Sequence, residues 1–131
     1  GEASMKLESA AYYSTTELEL PLVIEKNELK TTEILKEVVN LYLEGYKKAD
    51  IANAAQKTIA NGLSELAIQS ADKKGTTTIG ATGGVFYNEA ITNAVKNYIE
   101  SNGYDFIQHK NTCCGDGSVS LGQAIVAKTI L

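Results

Sequence analysis

Arginine is absent from this 131-residue chain; all 12 basic residues are lysine. Without a guanidinium fork, no side chain here can clamp a phosphate through two parallel hydrogen bonds. Sequence-specific nucleic-acid readers combine a basic face with arginine for planar contacts. A net charge of -4 and a pI near 5.0 offer neither, so DNA and RNA are disfavoured as partners. Histidine occurs once, at His109, which excludes a histidine cluster for zinc. Cysteine occurs twice, as the neighbours Cys113 and Cys114. Adjacent half-cystines are badly placed to bond each other, and with no spaced framework the pair fits a reducing cytosol. There is no signal peptide and no run of 18 apolar residues, so a soluble cytoplasmic protein with no membrane contact is expected.

What is present fits a globular domain. Hydrophobic residues make up 44% and charged residues 21%, near globular averages. A chain of this length suffices for one core. Residues 2–13 read as a helix. Leu18, Leu20, Leu22 and Ile24 then alternate, which predicts a strand, with Pro21 marking an edge or a break. Lys26-Asn27 turns the chain into Glu28-Leu29-Lys30 as a hairpin. Thr31 or Thr32 caps a helix with apolar Ile34, Leu35, Val38, Val39, Leu41 and Tyr42, and Gly45 ends it. A long helix follows at about 49–72, in which Gly62 carries a modest cost.

The second half changes pattern. Residues 76–81 read as a buried strand, Thr82-Gly83-Gly84 as a turn, and 86–101 as an amphipathic helix ended by Asn102-Gly103. Residues 104–107 form a second strand, 110–117 a loop, and 118–130 a last helix with Val119, Leu121, Ala124, Ile125 and Ala127 apolar. This is a βαβα unit, with two parallel strands joined by a right-handed crossover. Loops after the C-terminal ends of parallel strands gather at one edge, where ligands bind. The loops at 82–84 and 111–117 should therefore face one crevice. No strand precedes the opening helix and two strands make a thin sheet, so a piece of a larger protein is expected.

Several residues could carry chemistry. Gly83 and Gly84 permit positive φ and close backbone approach. Placed at a helix N-terminus they suit an anion such as phosphate, or they form a tight turn and nothing more. They are no Walker motif, since no G-K-[ST] follows. Asp116, between Gly115 and Gly117, could ligate a hard metal or cap the last helix. His109 alone reads as a surface or hydrogen-bonded residue, and Cys114 as a partly buried structural thiol without an activating partner. Tyr42, Tyr46 and Tyr98 read as packing at the edge of the core. Composition and spacing stop at a cytosolic α/β domain with a two-loop anion-binding crevice and do not name a reaction.

Two stretches taken together go further. Thr82-Gly83-Gly84-Val85-Phe86-Tyr87-Asn88 and Asp116-Gly117-Ser118-Val119-Ser120-Leu121-Gly122-Gln123-Ala124 resemble the patterns S-G-G-V-F-Q-N and N-D-G-G-I-S-L-G-Q-A of the hydrogenase maturation carbamoyltransferase family HypF. The opening Gly1-Glu2-Ala3-Ser4-Met5-Lys6-Leu7-Glu8 is similar to that family's E-G-Q-A-A-M-E-L-E, and His109 falls where a His commonly precedes the second motif. The resemblance runs from residue 1 to about 127.

It implies the second half of an actin-like ATPase, a ribonuclease-H-like α/β fold with parallel strands and flanking helices. The chain, 1–131, would then be a single domain, the C-terminal part of the carbamoyl-transfer domain of a larger enzyme. The other half of the cleft and the acylphosphatase, zinc-finger and carbamoyl-adenylate-forming domains of the family would lie upstream as partners. The implied activity uses carbamoyl phosphate and ATP to make carbamoyl-adenylate, then passes the carbamoyl group to the C-terminal Cys of HypE during [NiFe]-hydrogenase maturation. Gly83, Gly84 and Asn88 match residues expected near the nucleotide. Asn88 would bond the nucleotide or hold its loop. Asp116 matches a ligand of a divalent metal (Mg, Fe or Zn), and Glu2 resembles a glutamate that faces the ribose in the related tRNA threonylcarbamoyl-transfer enzymes. No catalytic residue is assigned.

The departures leave some room for that sister family. Tyr87 and Glu89 stand where Gln and Arg are usual, Cys113-Cys114-Gly115 where Pro-Pro-Asn is usual, and Gln56 where a His is common. Ser120-Leu121-Gly122-Gln123 favours HypF. A tRNA threonylcarbamoyl-transferase-like domain and a non-catalytic protein-docking module are the alternatives. Half a cleft with one plausible carboxylate ligand is not expected to catalyse alone. It would bind nucleotide only in the millimolar range, about -4 kcal/mol, and exposed apolar surface would favour a homodimer.

Overall fold

The computed structural model describes residues 2–130; Gly1, the first residue of the opening motif, and Leu131 lie outside them. The chain runs α1 (Glu2–Ala11), β1 (Ile24–Glu25), β2 (Glu28–Leu29), α2 (Thr31–Leu43), α3 (Lys48–Lys74), β3 (Thr78–Ala81), α4 (Glu89–Ser101), β4 (Asp105–Gln108) and α5 (Val119–Ile130). Single-turn 3-10 segments, Gly84–Tyr87 and Asp116–Ser118, precede α4 and α5.

Helix α3 is the spine against which α1, α2, α4 and β3 pack. Its small residues allow close approach: Ala52, Ala54, Ala60, Ser64 and Ala71 are all buried. Gly62 has a specific reason to be glycine, since a Cβ there would lie 2.6 Å from Leu29 Cδ1. The helix gives up propensity at that point so that the hairpin can seat. Two cores result. Leu20, Ile34, Leu41, Ile51 and Ala54 form one, with Leu18, Leu29 and Val38 against it. Ala60, Val95 and Ile99 form the other, beneath Ile79, Phe86 and Phe106 of the parallel unit.

Strands β3 and β4 pair in parallel, Thr78 opposite Asp105 through Ala81 opposite Gln108. The expected βαβα unit is therefore present, and both interesting loops leave C-terminal strand ends, but β3 is not the buried strand expected: Ala81 is buried and Ile79 half-buried, whereas Thr78 and Gly80 are exposed. The Lys26-Asn27 hairpin also forms, with Ile24 opposite Leu29. Both turn residues have positive φ, 53° and 61°, as a two-residue type I′ turn requires.

Other expectations need correction. The alternation over 18–24 does not make a strand; only Ile24–Glu25 pairs. Leu20 is buried and Leu18 half-buried, so the alternation points side chains at the core, but Pro21 removes a backbone donor and no partner strand lies alongside. Helix α1 stops at Ala11, leaving Tyr12 and Tyr13 exposed beyond it. Neither Thr31 nor Thr32 caps α2: Thr31 is already helical, and the capping residue, Lys30, makes no side-chain bond. On α2, Leu35, Val39 and Tyr42 remain exposed, because the helix presses only the Ile34–Val38–Leu41 edge onto the core. Tyr46 is also exposed, whereas Tyr98 is half-buried with its hydroxyl donating to Glu65. On α5, Val119, Leu121, Ile125 and Val126 are exposed and no residue is buried, so its apolar face is not covered by the described residues.

Candidate functional site: two loops at one sheet edge

The turn after β3 and the loop after β4 are hydrogen-bonded to each other. Gly83 N–H donates to the Cys114 carbonyl at 2.6 Å. The Thr82 hydroxyl donates to the same carbonyl at 3.2 Å and lies 3.0 Å from His109 Nε2. One hydroxyl hydrogen cannot serve both neighbours, so the geometry puts the imidazole proton on Nε2, donating to Thr82. Nδ1, 3.0 Å from the Thr112 hydroxyl, then accepts. His109 thus fastens the two loops together, in keeping with a hydrogen-bonded rather than a catalytic histidine. The expectation that both loops gather at one sheet edge is met.

Gly83 has φ 110°, a conformation reserved for glycine. A Cβ on either Gly83 or Gly84 would meet no atom within 4 Å, so the turn is open to an approaching group. The helix-terminus argument, however, is corrected. α4 begins at Glu89, not at 86, and the glycines lead into a single 3-10 turn. The N-terminus of α4 is already capped by Asn88, whose Oδ1 accepts from Ile91 N–H at 3.0 Å, and it carries Glu89 in its first turn. An anion at the glycines would meet the backbone of the turn and gain little from the dipole of α4.

The Asn88 side chain is engaged at both ends. Its Nδ2 donates to Gln56 Oε1 at 2.7 Å, and Gln56 Nε2 lies 3.5 Å from the Leu7 carbonyl of α1. This relay ties the glycine turn, α3 and α1 together, which favours the loop-holding role for Asn88. Gln56 is 5% exposed. The sequence hint was a polar residue on an apolar helix stripe.

Asp116 opens the 3-10 turn before α5 and is exposed. It does not cap the turn through its side chain; its backbone carbonyl accepts from Val119 N–H instead. Its carboxylate makes no hydrogen bond or ion pair among the described residues, which leaves both oxygens available. A hard cation would suit it, but no three His, Cys, Asp or Glu residues come together as a metal site among the described residues. The chain therefore fits a divalent metal as the donor of one oxygen ligand. Glu2 sits at the exposed start of α1, its carboxylate 2.6 Å from Lys6 Nζ, and among the described residues no hydrogen bond or ion pair brings it to the loops.

Around Asp116 the cysteines take unequal positions. Cys113 is exposed and Cys114 half-buried, and both are free thiols. Cys113 Sγ lies 3.2 Å from the Ser118 hydroxyl. The Ser118 hydroxyl also donates to the Cys113 carbonyl; its contact with the sulfur, followed by that of the Tyr87 hydroxyl, holds the Cys113 thiol below the ordinary cysteine range. The same contact with Cys113 pushes the Tyr87 phenol up. One cluster away from the site had no signal in the sequence. Asp50, 4% exposed, accepts from Ser14 Oγ, Thr15 N–H and Thr16 N–H at 2.9, 2.8 and 3.1 Å. The Thr15 amide is the largest cause holding its carboxyl below the usual range.

Comparison with known proteins bears on this geometry. A family model described as the second subdomain of the Kae1-like carbamoyltransferase domain matches residues 1–123. The chain belongs to the HypF carbamoyltransferase family. It is 38% identical over 125 residues to the probable carbamoyltransferase HypF of Methanocaldococcus jannaschii, covering 95% of this chain and 16% of that protein. The crystal structure of T. kodakarensis HypF superposes with TM-score 0.87 at 29% identity, over 97% of this chain and 16% of that one. A full-length HypF in the phosphate- and nucleotide-bound form gives TM-score 0.82 at 26% identity, over 100% and 18%. A 2-hydroxyisocaproyl-CoA dehydratase activator from Clostridium difficile with bound ADPNP, 19% identical, shares the fold alone, with TM-score 0.55 over 96% and 44%. The chain thus spans about one sixth of the HypF proteins it matches. Among the described residues no helix is long and apolar enough to cross a membrane.

Proposed function

We propose that the two-loop edge forms one wall of the ATP site in a cytoplasmic carbamoyltransferase, and that residues 1–131 are the second half of its actin-like ATPase domain. The observation that carries this reading is the bond from Gly83 N–H to the Cys114 carbonyl. It joins the open glycine turn to the loop bearing Asp116, whose carboxylate has no partner among the described residues, at the C-terminal edge of a parallel pair. A relative of the same fold is described as phosphate- and nucleotide-bound.

In this reading Gly83 and Gly84 admit the nucleotide against bare backbone, and Asn88 fixes the turn through Gln56. Asp116 supplies one ligand to a divalent metal, which when bound would neutralise phosphate charge. Glu2 faces the ribose once the full cleft is assembled. Carbamoyl-adenylate made from carbamoyl phosphate and ATP gives up its carbamoyl group to the C-terminal thiol of HypE. A sulfur–carbon bond forms, the acyl–phosphate bond breaks and AMP leaves. The upstream half of the domain covers the exposed apolar side chains of α5; without it this chain stays inactive, and its open apolar surface favours pairing with a second copy.

The test is carbamoyl transfer by a full-length HypF carrying this sequence as its second subdomain. Asp116→Asn should lower the rate roughly 100-fold, the scale of losing a charge-stabilising group in such a site. Transfer at the wild-type rate would remove Asp116 from the machinery.

A further inference from the structure

We propose that the groove between the end of α1 and the start of α4 is a docking site for an arginine side chain of a protein partner. The groove, of about 570 Å³, is lined by Glu8, Tyr12, Tyr13, Tyr87, Glu89 and Asn93, among others. It lies outside the two-loop site, with Tyr87 as the shared wall.

Three observations point to a cation there. The first is aromatic surface: Tyr12, Tyr13 and Tyr87 are 85%, 71% and 61% exposed. Tyr12 and Tyr13 meet edge to face, with centroids 5.4 Å apart and planes at 86°. That arrangement leaves the faces of one ring unstacked by the other, and ring faces attract cations.

The second is charge left uncompensated. Glu8 and Glu89 take part in no ion pair among the described residues, and no lysine lines the groove. Glu8 is half-buried. It also occupies the last turn of α1, where no basic residue stands and where the helix dipole favours a cation. A positive group entering the groove meets two carboxylates and the negative end of α1, set against the positive end of α4. Glu89 complements the dipole of α4 by itself, so Glu8 is the stronger indicator.

The third is the identity of the cation. This chain contains no arginine to fill the groove from within. A guanidinium is planar, stacks on phenol rings and is less strongly hydrated than an ammonium. Three tyrosines with two carboxylates match that chemistry better than they match lysine. Tyr87 and Glu89 also replace the usual Gln and Arg of the resembling pattern, so part of the groove's acidic, aromatic character arises where this chain departs from it, while Glu8 keeps the pattern's final Glu.

The test is NMR titration of the full chain with acetyl-Gly-Arg-Gly-amide, its citrulline analogue and its lysine analogue. The arginine peptide should shift the ring signals of Tyr12, Tyr13 and Tyr87 saturably, with at least tenfold tighter binding than the neutral citrulline peptide. The Glu8→Gln/Glu89→Gln double variant should lose the preference. Equal binding of the citrulline peptide, or no saturable shift by about 10 mM, overturns the proposal. Equal binding of the lysine peptide overturns the assignment to arginine. The wild-type comparison of peptides decides the matter even if the variant fails to fold, and it stands whether or not the chain binds ATP.

Discussion

The ring of Tyr87 occupies the space that a side chain on residue 115 would need: a Cβ added at Gly115 would lie 2.9 Å from Tyr87 Cε2. Two departures from the HypF-like pattern, tyrosine for glutamine and glycine for asparagine, are thereby one structural event. Gly115 has φ -100°, so its backbone tolerates any residue and the constraint is the ring alone.

Gly115→Asn should therefore cost about 1 kcal/mol, at the low end of overpacking because an exposed ring can swing aside. In a Tyr87→Gln background the cost should vanish. Urea denaturation of the two single variants and the double variant measures this coupling. Additive effects would show that the ring and residue 115 are independent.

The Asn88 amide has two separable roles. Asn88→Ala removes the cap from α4, worth roughly 0.5–2 kcal/mol, and leaves Gln56 Oε1 without its donor. Asn88→Ser keeps a capping oxygen and loses only the bond to Gln56, so it should fall between wild type and Asn88→Ala in denaturation midpoint. If Asn88→Ser is as damaging as Asn88→Ala, the cap contributes nothing.

Asp50 makes stability depend on acid. Its folded carboxyl titrates below the unfolded value because the Thr15 amide, the Ser14 hydroxyl and the Thr16 amide bond the charged form. That contribution is present above the unfolded value of about 3.9 and is lost as pH falls through the folded value. The gap in Tm between wild type and Asp50→Asn should be widest near neutral pH and close below about pH 4. A gap independent of pH would contradict the ion's role.

Cys113 should alkylate with iodoacetamide faster than Cys114. It is the more exposed thiol, and its lowered titration gives more thiolate at a given pH. Ser118→Ala removes the hydroxyl beside the sulfur, so the pH–rate profile should move up towards the ordinary cysteine value of about 8.5. Mass spectrometry of the two adjacent sites reads both effects. An unchanged profile in Ser118→Ala would show that the Ser118 hydroxyl does not hold the thiolate.

Local signals made most of this molecule legible. The Thr76–Ala81 and Tyr104–Ile107 stretches gave the parallel pair, and Lys26-Asn27 gave the hairpin turn, because β propensity and turn chemistry act over a few residues. The placing of both loops at one edge followed from topology alone. What failed depended on partners distant in sequence. Among the described residues, the alternation at Leu18–Ile24 has no neighbouring strand and the amphipathic face of α5 has nothing to cover it. Asp50 binding residues 14–16, and Tyr87 displacing a side chain at 115, join positions about thirty residues apart that no period or motif connects. The start of α4 lies at Glu89 rather than 86 because Asn88 caps the helix there, although 86–88 has helix-like composition.

The first experiment is ATP titration of this chain with Mg²⁺, followed by backbone amide shifts. Shifts concentrated at Gly83, Gly84, Asn88 and Asp116, weakened in Asp116→Asn, are the predicted result. Millimolar ATP that leaves those amides unmoved, both here and in a full-length protein carrying this sequence, would contradict a nucleotide wall at the two-loop edge.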